Sequence, residues 1–218
     1  LDSFNKVFTM SDIGPGEFYQ VIGVGPHPKP WPTDDHFDPQ LLESGDRRNV
    51  LDKYRYWKLS SIVADLDKSR TALEIAIENW QHDLNIGSIV RTANAFNVSR
   101  VHIVGKRDWN KRGAMVTDRY LSVQHHATIA DFKKDCDNRS VPIIGIDNVE
   151  KSIPLENYQL PEKCVMLFGQ EGAGMSEDAI AACQVILAIS QRGSTRSMNA
   201  SAAGAIAMYA WGLQHLKN

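Results

Sequence analysis

The stretch VILAISQRGSTRSMNASAAGAIAMY, residues 185–209, decides the fold class. Val185 to Ile189 form a short unbroken apolar run, the pattern of a strand covered on both faces. Ser190 to Asn199 carry hydroxyl, amide and guanidinium groups and predict a loop, after which an alanine-rich segment predicts a helix. Small residues open that helix (Ala200, Ser201, Ala202, Ala203, Gly204, Ala205), so it can approach its neighbours closely. A polar loop at the end of a buried strand is where α/β proteins bind small molecules. Taken alone, the stretch also reads as one more strand, turn and helix.

Working outward, the same alternation runs back to Thr71. ALEIAI (72–77) reads as a buried strand, and the polar loop ENWQHDLN leads into a helix. There Ile86, Ile89, Val90, Ala93 and Phe96 make one apolar face, while Asn85, Ser88 and Arg91 lie on another. Asn97 is a helix stop, and RVHIVG (100–105) is the second strand. A helical region at 130–138 precedes VPIIGI (141–146), the third strand, with Asp147 behind it. Residues 147–163, with Pro154 and Pro161, read mostly as loop. CVMLF (164–168) runs into GQEGAG, and Ser176 followed by Glu177 and Asp178 signals a helix start. Buried strands alternating with helices predict an α/β fold with a mainly parallel sheet of five to six strands, covered by helices on both faces.

The chain has 218 residues, enough for one α/β domain with a sizeable core and a small appendage. Its net charge of −2 argues against an indiscriminate nucleic-acid binder, so any polyanion must be held by local patches. Two such patches stand out. In residues 47–63, Arg47, Arg48, Lys53, Arg55 and Lys58 interleave with Tyr54, Tyr56 and Trp57, which suits a nucleic acid or an ordinary surface segment whose aromatics anchor it to the core. In GKRDWNKRG (105–113), Lys106, Arg107, Lys111 and Arg112 flank Trp109, and RNA contact and a solvated loop are both open. Five prolines between Pro26 and Pro39 favour extended backbone and exclude regular helix there, so residues 1–70 read as an irregular extension and 71–218 as the main domain. Leu1 is not a start methionine, so the natural beginning is expected to be missing. Cys136, Cys164 and Cys183 stand far apart, which gives neither a disulfide framework nor a zinc cluster and fits a reducing cytoplasm. No apolar run approaches the roughly 20 residues of a membrane span, and no signal-peptide pattern opens the chain.

Gly169 to Gly174 form a strand-to-helix glycine loop, but neither GxGxxG nor a P-loop. Glu171 inside it would repel phosphate, which points to a neutral or cationic ligand. No Ser-His-Asp arrangement stands out, and His125 and His126 have no further ligand nearby in sequence, so no metal is expected.

Three separated pieces, NIGSIVRTANAF (85–96), LFGQEGAGMS (167–176) and ISQRGSTRSMNASAA (189–203), carry a family pattern in order. Together they resemble the three motifs of the SpoU-type RNA 2′-O-ribose methyltransferases, in the knotted SPOUT class, over residues 71–218. The first motif has an asparagine six residues before an arginine, here Asn85 and Arg91; the second has G-x-E-x-x-G, here from Gly169 through Glu171 to Gly174. The third, S-L-N-[VA]-S, reads Ser197-Met198-Asn199-Ala200-Ser201, with methionine a volume-conserving replacement for leucine.

The resemblance implies S-adenosylmethionine as cofactor, a C-terminal deep trefoil knot, tRNA or rRNA as substrate, and a homodimer sharing its active site. It places Gly145, Gly169, Gly174, Ile189 and Met198 at the cofactor, and Asn85, Arg91, Glu171, Ser197 and Asn199 on the catalytic side. It also implies pairing through the final helix, where Ala202, Ile206, Tyr209, Leu213 and Leu216 recur at steps of four and three; periodicity alone favours reading this stripe as core, and the resemblance tips it to the interface. Residues 1–70 do not resemble the RNA-binding appendage common in relatives. A sulfonium methyl is already activated, so such an enzyme mainly aligns the ribose oxygen and helps its proton leave. A guanidinium hardly ever loses its proton, so Arg91 suits a phosphate clamp and oxyanion stabiliser, and Glu171 a structural acceptor for loop N–H groups or Asn85. Two other readings stand beside this one: a non-catalytic RNA-binding protein on the same fold, and a SPOUT enzyme methylating a base.

Overall fold

The structure, a computed structural model, describes residues 23–80 and 85–216. The first part of the N-terminal extension (1–22) and the loop residues 81–84 lie outside the described residues. The chain divides into a unit ending at Ile62 and a unit beginning at Val63.

In the first unit the proline run ends in a helix, α1 (Pro39–Ser44). The sequence excluded helix here, yet the last proline stands at the first helical position, where its missing N–H leaves no bond unmade. Asp38 caps the helix, its carboxylate accepting from the Gln40 and Leu41 amides at 2.9 and 3.4 Å. Residues 46–57 are organised around the buried Asp46. Its carboxylate accepts from Arg48 Nε (2.9 Å), Arg48 Nη2 (2.7 Å) and the amides of Arg48 (3.0 Å) and Tyr56 (2.9 Å). Tyr54 is buried and meets Trp57 edge-on at 5.3 Å, and Trp57 also packs on His36 at 4.3 Å. These rings pack against one another within the first unit. Helix α2 (Leu59–Leu66) spans the division between the units.

The second unit runs β1 (Thr71–Asn79), α3 (Asn85–Ala95), β2 (Val98–Gly105), β3 (Val123–His126), α4 (Ile129–Asn138), β4 (Ile143–Ile146), β5 (Ile153–Pro154), β6 (Cys164–Phe168), α5 (Glu177–Ala182), β7 (Val185–Ala188) and α6 (Ala200–His215). All pair in parallel as one sheet in the order β3-β2-β1-β6-β4-β7-β5. The parallel α/β architecture is as expected, with seven strands in place of five to six. The two additional strands are the edges. β3 is too polar to show an apolar run, and β5 is two residues long and contains Pro154, which only an edge tolerates.

Strand alternation builds the core. Leu73, Ile75 and Ile77 point to one face and pack with Ile86, Ile89, Val90, Met208 and Trp211 of α3 and α6. Ala76, Val104, Val165 and Leu167 point to the other and pack with Phe132, Cys136 and Ala179 of α4 and α5. Gly204 and Gly212 let α6 lie close on α3, since an added Cβ would stand 3.3 Å from Ile89 and from Phe96. Asn97 ends α3 in a left-handed turn (φ 48°) that asparagine tolerates.

Candidate active site

Three adjacent parallel strands, β6, β4 and β7, point their carboxyl ends the same way, and the loops leaving them enclose a cleft of about 790 Å³. Its walls are Ile146 to Val149 after β4, Gly169 to Met175 after β6, and parts of 189–203 after β7. The glycine loop closes on itself, Gln170 and Gly174 exchanging two backbone hydrogen bonds of 3.0 Å. Gly169 has no room for a Cβ, which would stand 2.3 Å from the Gly174 carbonyl carbon and the Met175 nitrogen. Gly174 is left-handed at φ 71°.

Two loops and a helix meet through three side chains. Asn85, at the start of α3 and buried, donates from Nδ2 to Glu171 Oε2 at 2.5 Å. Asn199 Nδ2 donates to Asn85 Oδ1 at 2.8 Å and lies 3.4 Å from Glu171 Oε1. Asn199 also caps α6, its Oδ1 accepting from the amides of Ser201 (3.0 Å) and Ala202 (3.3 Å). The carboxylate is thus held by the first motif's asparagine, one of the two kinds of partner expected for it, and by the third motif's asparagine, which was not expected.

The expected residues fall into separate groups. Gly169, Glu171, Gly174, Ile189, Ser197, Met198 and Asn199 line the cleft, and Asn85 reaches it through Glu171. Gly145 does not: it is buried inside β4, and the space of its missing Cβ is filled by Cys183 Sγ and the Met175 side chain at 3.0–3.1 Å. Arg91 is exposed, does not line the cleft, and has no hydrogen-bond or ion-pair partner among the described residues. Six residues along the helix from Asn85, it is offset by about 9 Å and about 240° around the axis. In the basic loop Lys106, Arg107 and Arg112 are exposed, whereas Lys111 bonds Asp118 at 3.0 Å. Trp109 is partly buried and packs against the core, with Lys111 Nζ 5.4 Å from its ring centroid. Asn79 holds this loop from below, donating to the carbonyls of Lys106 (2.8 Å) and Asp108 (3.0 Å). The loop's far end presses on α3 at Gly87, where a Cβ would be 2.7 Å from the Ala114 nitrogen.

Sequence reading missed Gln170, Asp147 and Asn148 on the cleft walls. Only position marks the last two, since they directly follow a predicted strand. It also missed a buried polar network behind the sheet. His126 does have neighbours: its Nε2 lies 2.9 Å from His102 Nδ1, and with Asp135 these ligand atoms fall within 4.8 Å of one another. The group is engaged with its surroundings, His102 Nε2 with Glu74 at 2.9 Å, and Arg139 with both Glu74 and Asp135. Burial pushes the three cysteine thiols up to about 12, so they stay protonated at neutral pH and offer no thiolate nucleophile.

The cleft suits a ligand with both apolar and hydrogen-bonding parts. Ile146, Ile189 and Met198 supply apolar wall, and Gln170 Oε1 is a buried acceptor with no partner among the described residues, the kind of atom a bound N–H or O–H group satisfies. Fold and cleft together define a parallel α/β protein with a small-molecule site on strand-end loops. The chain belongs to the SpoU rRNA methylase family, whose model matches residues 72–209. It is 29% identical over 139 residues to the tRNA (guanosine(18)-2′-O)-methyltransferase of Saccharomyces cerevisiae, covering 61% of this chain and a tenth of that protein's length (10%). It is 25% identical over 158 residues to the Escherichia coli enzyme of the same name, covering 71% of this chain and 68% of that one. Among solved structures, the A. aeolicus TrmH/SpoU tRNA modifying enzyme aligns with a TM-score of 0.63 at 21% identity, over 72% of this chain and 81% of that one. The SpoU methyltransferase AviRb from Streptomyces viridochromogenes, solved in complex with AdoMet, aligns at 0.62 and 20% identity, over 70% of this chain and 64% of that one.

Proposed function

We propose that this chain transfers a methyl group from S-adenosylmethionine to a ribose 2′-hydroxyl in tRNA or rRNA. The observation that carries the reading is the Asn85–Glu171–Asn199 junction at the mouth of the cleft, in which each of the three family motifs contributes one side chain. When bound, the cofactor supplies a methyl group already activated on a sulfonium, so the protein needs to align and to stabilise charge. Gly169, Gly174, Ile189 and Met198 form its walls; Glu171, fixed by two asparagine amides, stands with Ser197 at the side where a ribose enters. An anionic side chain there favours a cationic ligand over a phosphate.

We infer that Arg91, which does not line the cleft of its own subunit, acts across to a second copy. On α6, Ile206 (41%), Tyr209 (59%) and Leu213 (69%), with Leu216 (45%) just past its end, are exposed, so the stripe is not core, and an unpartnered apolar face of this size suits an interface. We assign it to a homodimer in which Arg91 serves the partner's cleft as phosphate clamp and oxyanion stabiliser. Lys106, Arg107 and Arg112 then hold the RNA backbone, with residues 71–218 as the knotted catalytic domain, residues 1–70 as an appendage, and the cytoplasm as the compartment. Among the described residues no helix is long and apolar enough to cross a membrane.

Incubation with labelled S-adenosylmethionine and total tRNA and rRNA, followed by nucleoside mass spectrometry, tests the proposal. A 2′-O-methylated nucleoside is expected. A methylated base would replace the reading with base methylation, and cofactor binding without transfer to any RNA would favour a binding protein.

A further inference from the structure

Neither Asp147 nor Asn148 belongs to the three motifs, yet between them they hold both loops of the cleft. Asp147 Oδ1 accepts from the Asn148 amide at 2.7 Å, which locks the side chain, and Oδ2 accepts from the Met175 amide, also at 2.7 Å, at the end of the glycine loop. Asn148 Nδ2 donates to the Arg196 carbonyl at 3.2 Å, on the loop after β7. β4 lies between β6 and β7 in the sheet, so the residues that end it are the ones within reach of both flanking loops. The fit is tight. A Cβ on Gly174 would stand 2.8 Å from Asp147 Oδ2, so the second motif's last glycine provides the room for this carboxylate. One residue further on, Glu78 at the end of β1 accepts from the Ser176 amide (2.9 Å) and hydroxyl (2.7 Å). Consecutive amides after the glycine loop are thus each held by a carboxylate from a different strand.

We infer that Asp147 and Asn148 are positioning residues for the cofactor, acting through Met175 and Arg196: Asp147 fixes the glycine loop that carries Glu171, and Asn148 ties the third-motif loop to the same strand end. A charge-assisted hydrogen bond is stronger than a neutral one, so Asp147 is the dominant member of the pair. The inference rests on the cofactor reading above, and its test separates the two.

Amide hydrogen exchange and calorimetric titration with S-adenosylmethionine are measured on the full chain and on Asp147→Ala, Asp147→Asn and Asn148→Ala. Asp147→Ala is expected to weaken cofactor binding about tenfold or more and to speed exchange at the Met175 amide, with little change in melting temperature. Asp147→Asn, which keeps one acceptor oxygen, recovers most of both losses. Asn148→Ala weakens binding by a smaller factor and speeds exchange in 190–199 only. Wild-type affinity in Asp147→Ala, or a Met175 amide exchanging at the wild-type rate, overturns the inference. Should Asp147→Ala not fold, unchanged affinity and unchanged exchange in Asn148→Ala overturn it instead. If the wild-type chain binds no S-adenosylmethionine, the cofactor reading fails, while Met175 exchange still decides whether Asp147 holds the loop.

Discussion

Asn199 does two jobs with one amide: its oxygen caps α6 and its nitrogen reaches Asn85 and Glu171. Asn199→Ala therefore removes a helix cap, which costs about 1 kcal/mol of stability in a denaturant titration. Methyl transfer should fall by a larger factor than stability explains, because Glu171 is left with one of its two asparagine neighbours. Arg91 behaves oppositely, being exposed and outside the cleft walls. Arg91→Ala should lower methyl transfer on the order of 100-fold or more while cofactor affinity and melting temperature stay at wild type. An equal loss of cofactor binding would contradict the proposed role. At this scale the motif residues were legible through their resemblance to the three family motifs. Gly145 was not, since a small residue looks the same whether it admits a ligand or, as here, the Cys183 and Met175 side chains.

At the scale of elements, α6 carries apolar residues almost all round. Gly204, Met208 and Trp211 face the core, while Ile206, Tyr209 and Leu213 are exposed. Periodicity reported the stripe but not which side met the sheet. Leu213→Glu should leave the circular dichroism spectrum intact, lower the dimer fraction in sedimentation, and reduce methyl transfer with it; a folded and fully active monomer would refute a shared site. The basic loop makes a separate test. Charge reversal at Lys106, Arg107 and Arg112 should weaken RNA binding and flatten the slope of log affinity against log salt by roughly 0.9 for each phosphate no longer neutralised. Trp109→Leu should change stability more than RNA affinity, because the ring packs on the core.

The whole molecule has an acid-sensitive centre on the α4 face. His126 is held below the ordinary histidine value of 6.5, by burial first and then by His102, with His125 and Arg139 acting the same way and Asp135 opposing. Burial pushes the Glu74 carboxyl up, but hydrogen bonds from His102 and Arg139 outweigh it and hold the group below its ordinary 4.5; Arg100 stands 4.0 Å away. For a histidine depressed in the fold, the unfolded chain binds the proton first. Stability is then full above pH 6.5 and declines as pH falls below it, and Glu74 adds to the decline below 4.5. Denaturant midpoints from about pH 8 to about pH 4 should show this fall, and His126→Gln should flatten its upper part. A profile level between about pH 7 and about pH 5 would contradict it.

Sequence by itself determined the succession of the five buried strands and the helices that follow them from Thr71 onward, because a strand covered on both faces is a continuous apolar run and α3 has a 3.6-residue period. It also carries the three motifs, legible by their resemblance to the family. Only the tertiary structure decided which elements are neighbours. The order β6-β4-β7 brings Asp147 beside the glycine loop, and Asn85, Glu171 and Asn199 meet from positions far apart in the chain. His102 joins His126 across parallel strands in the same way, and a two-residue edge such as β5 exists only because β7 is there to pair with it. The physical reason is that a hydrophobic pattern reports which side of an element avoids water, whereas the partner on that side is chosen by chain topology and packing, which leave no period in the sequence.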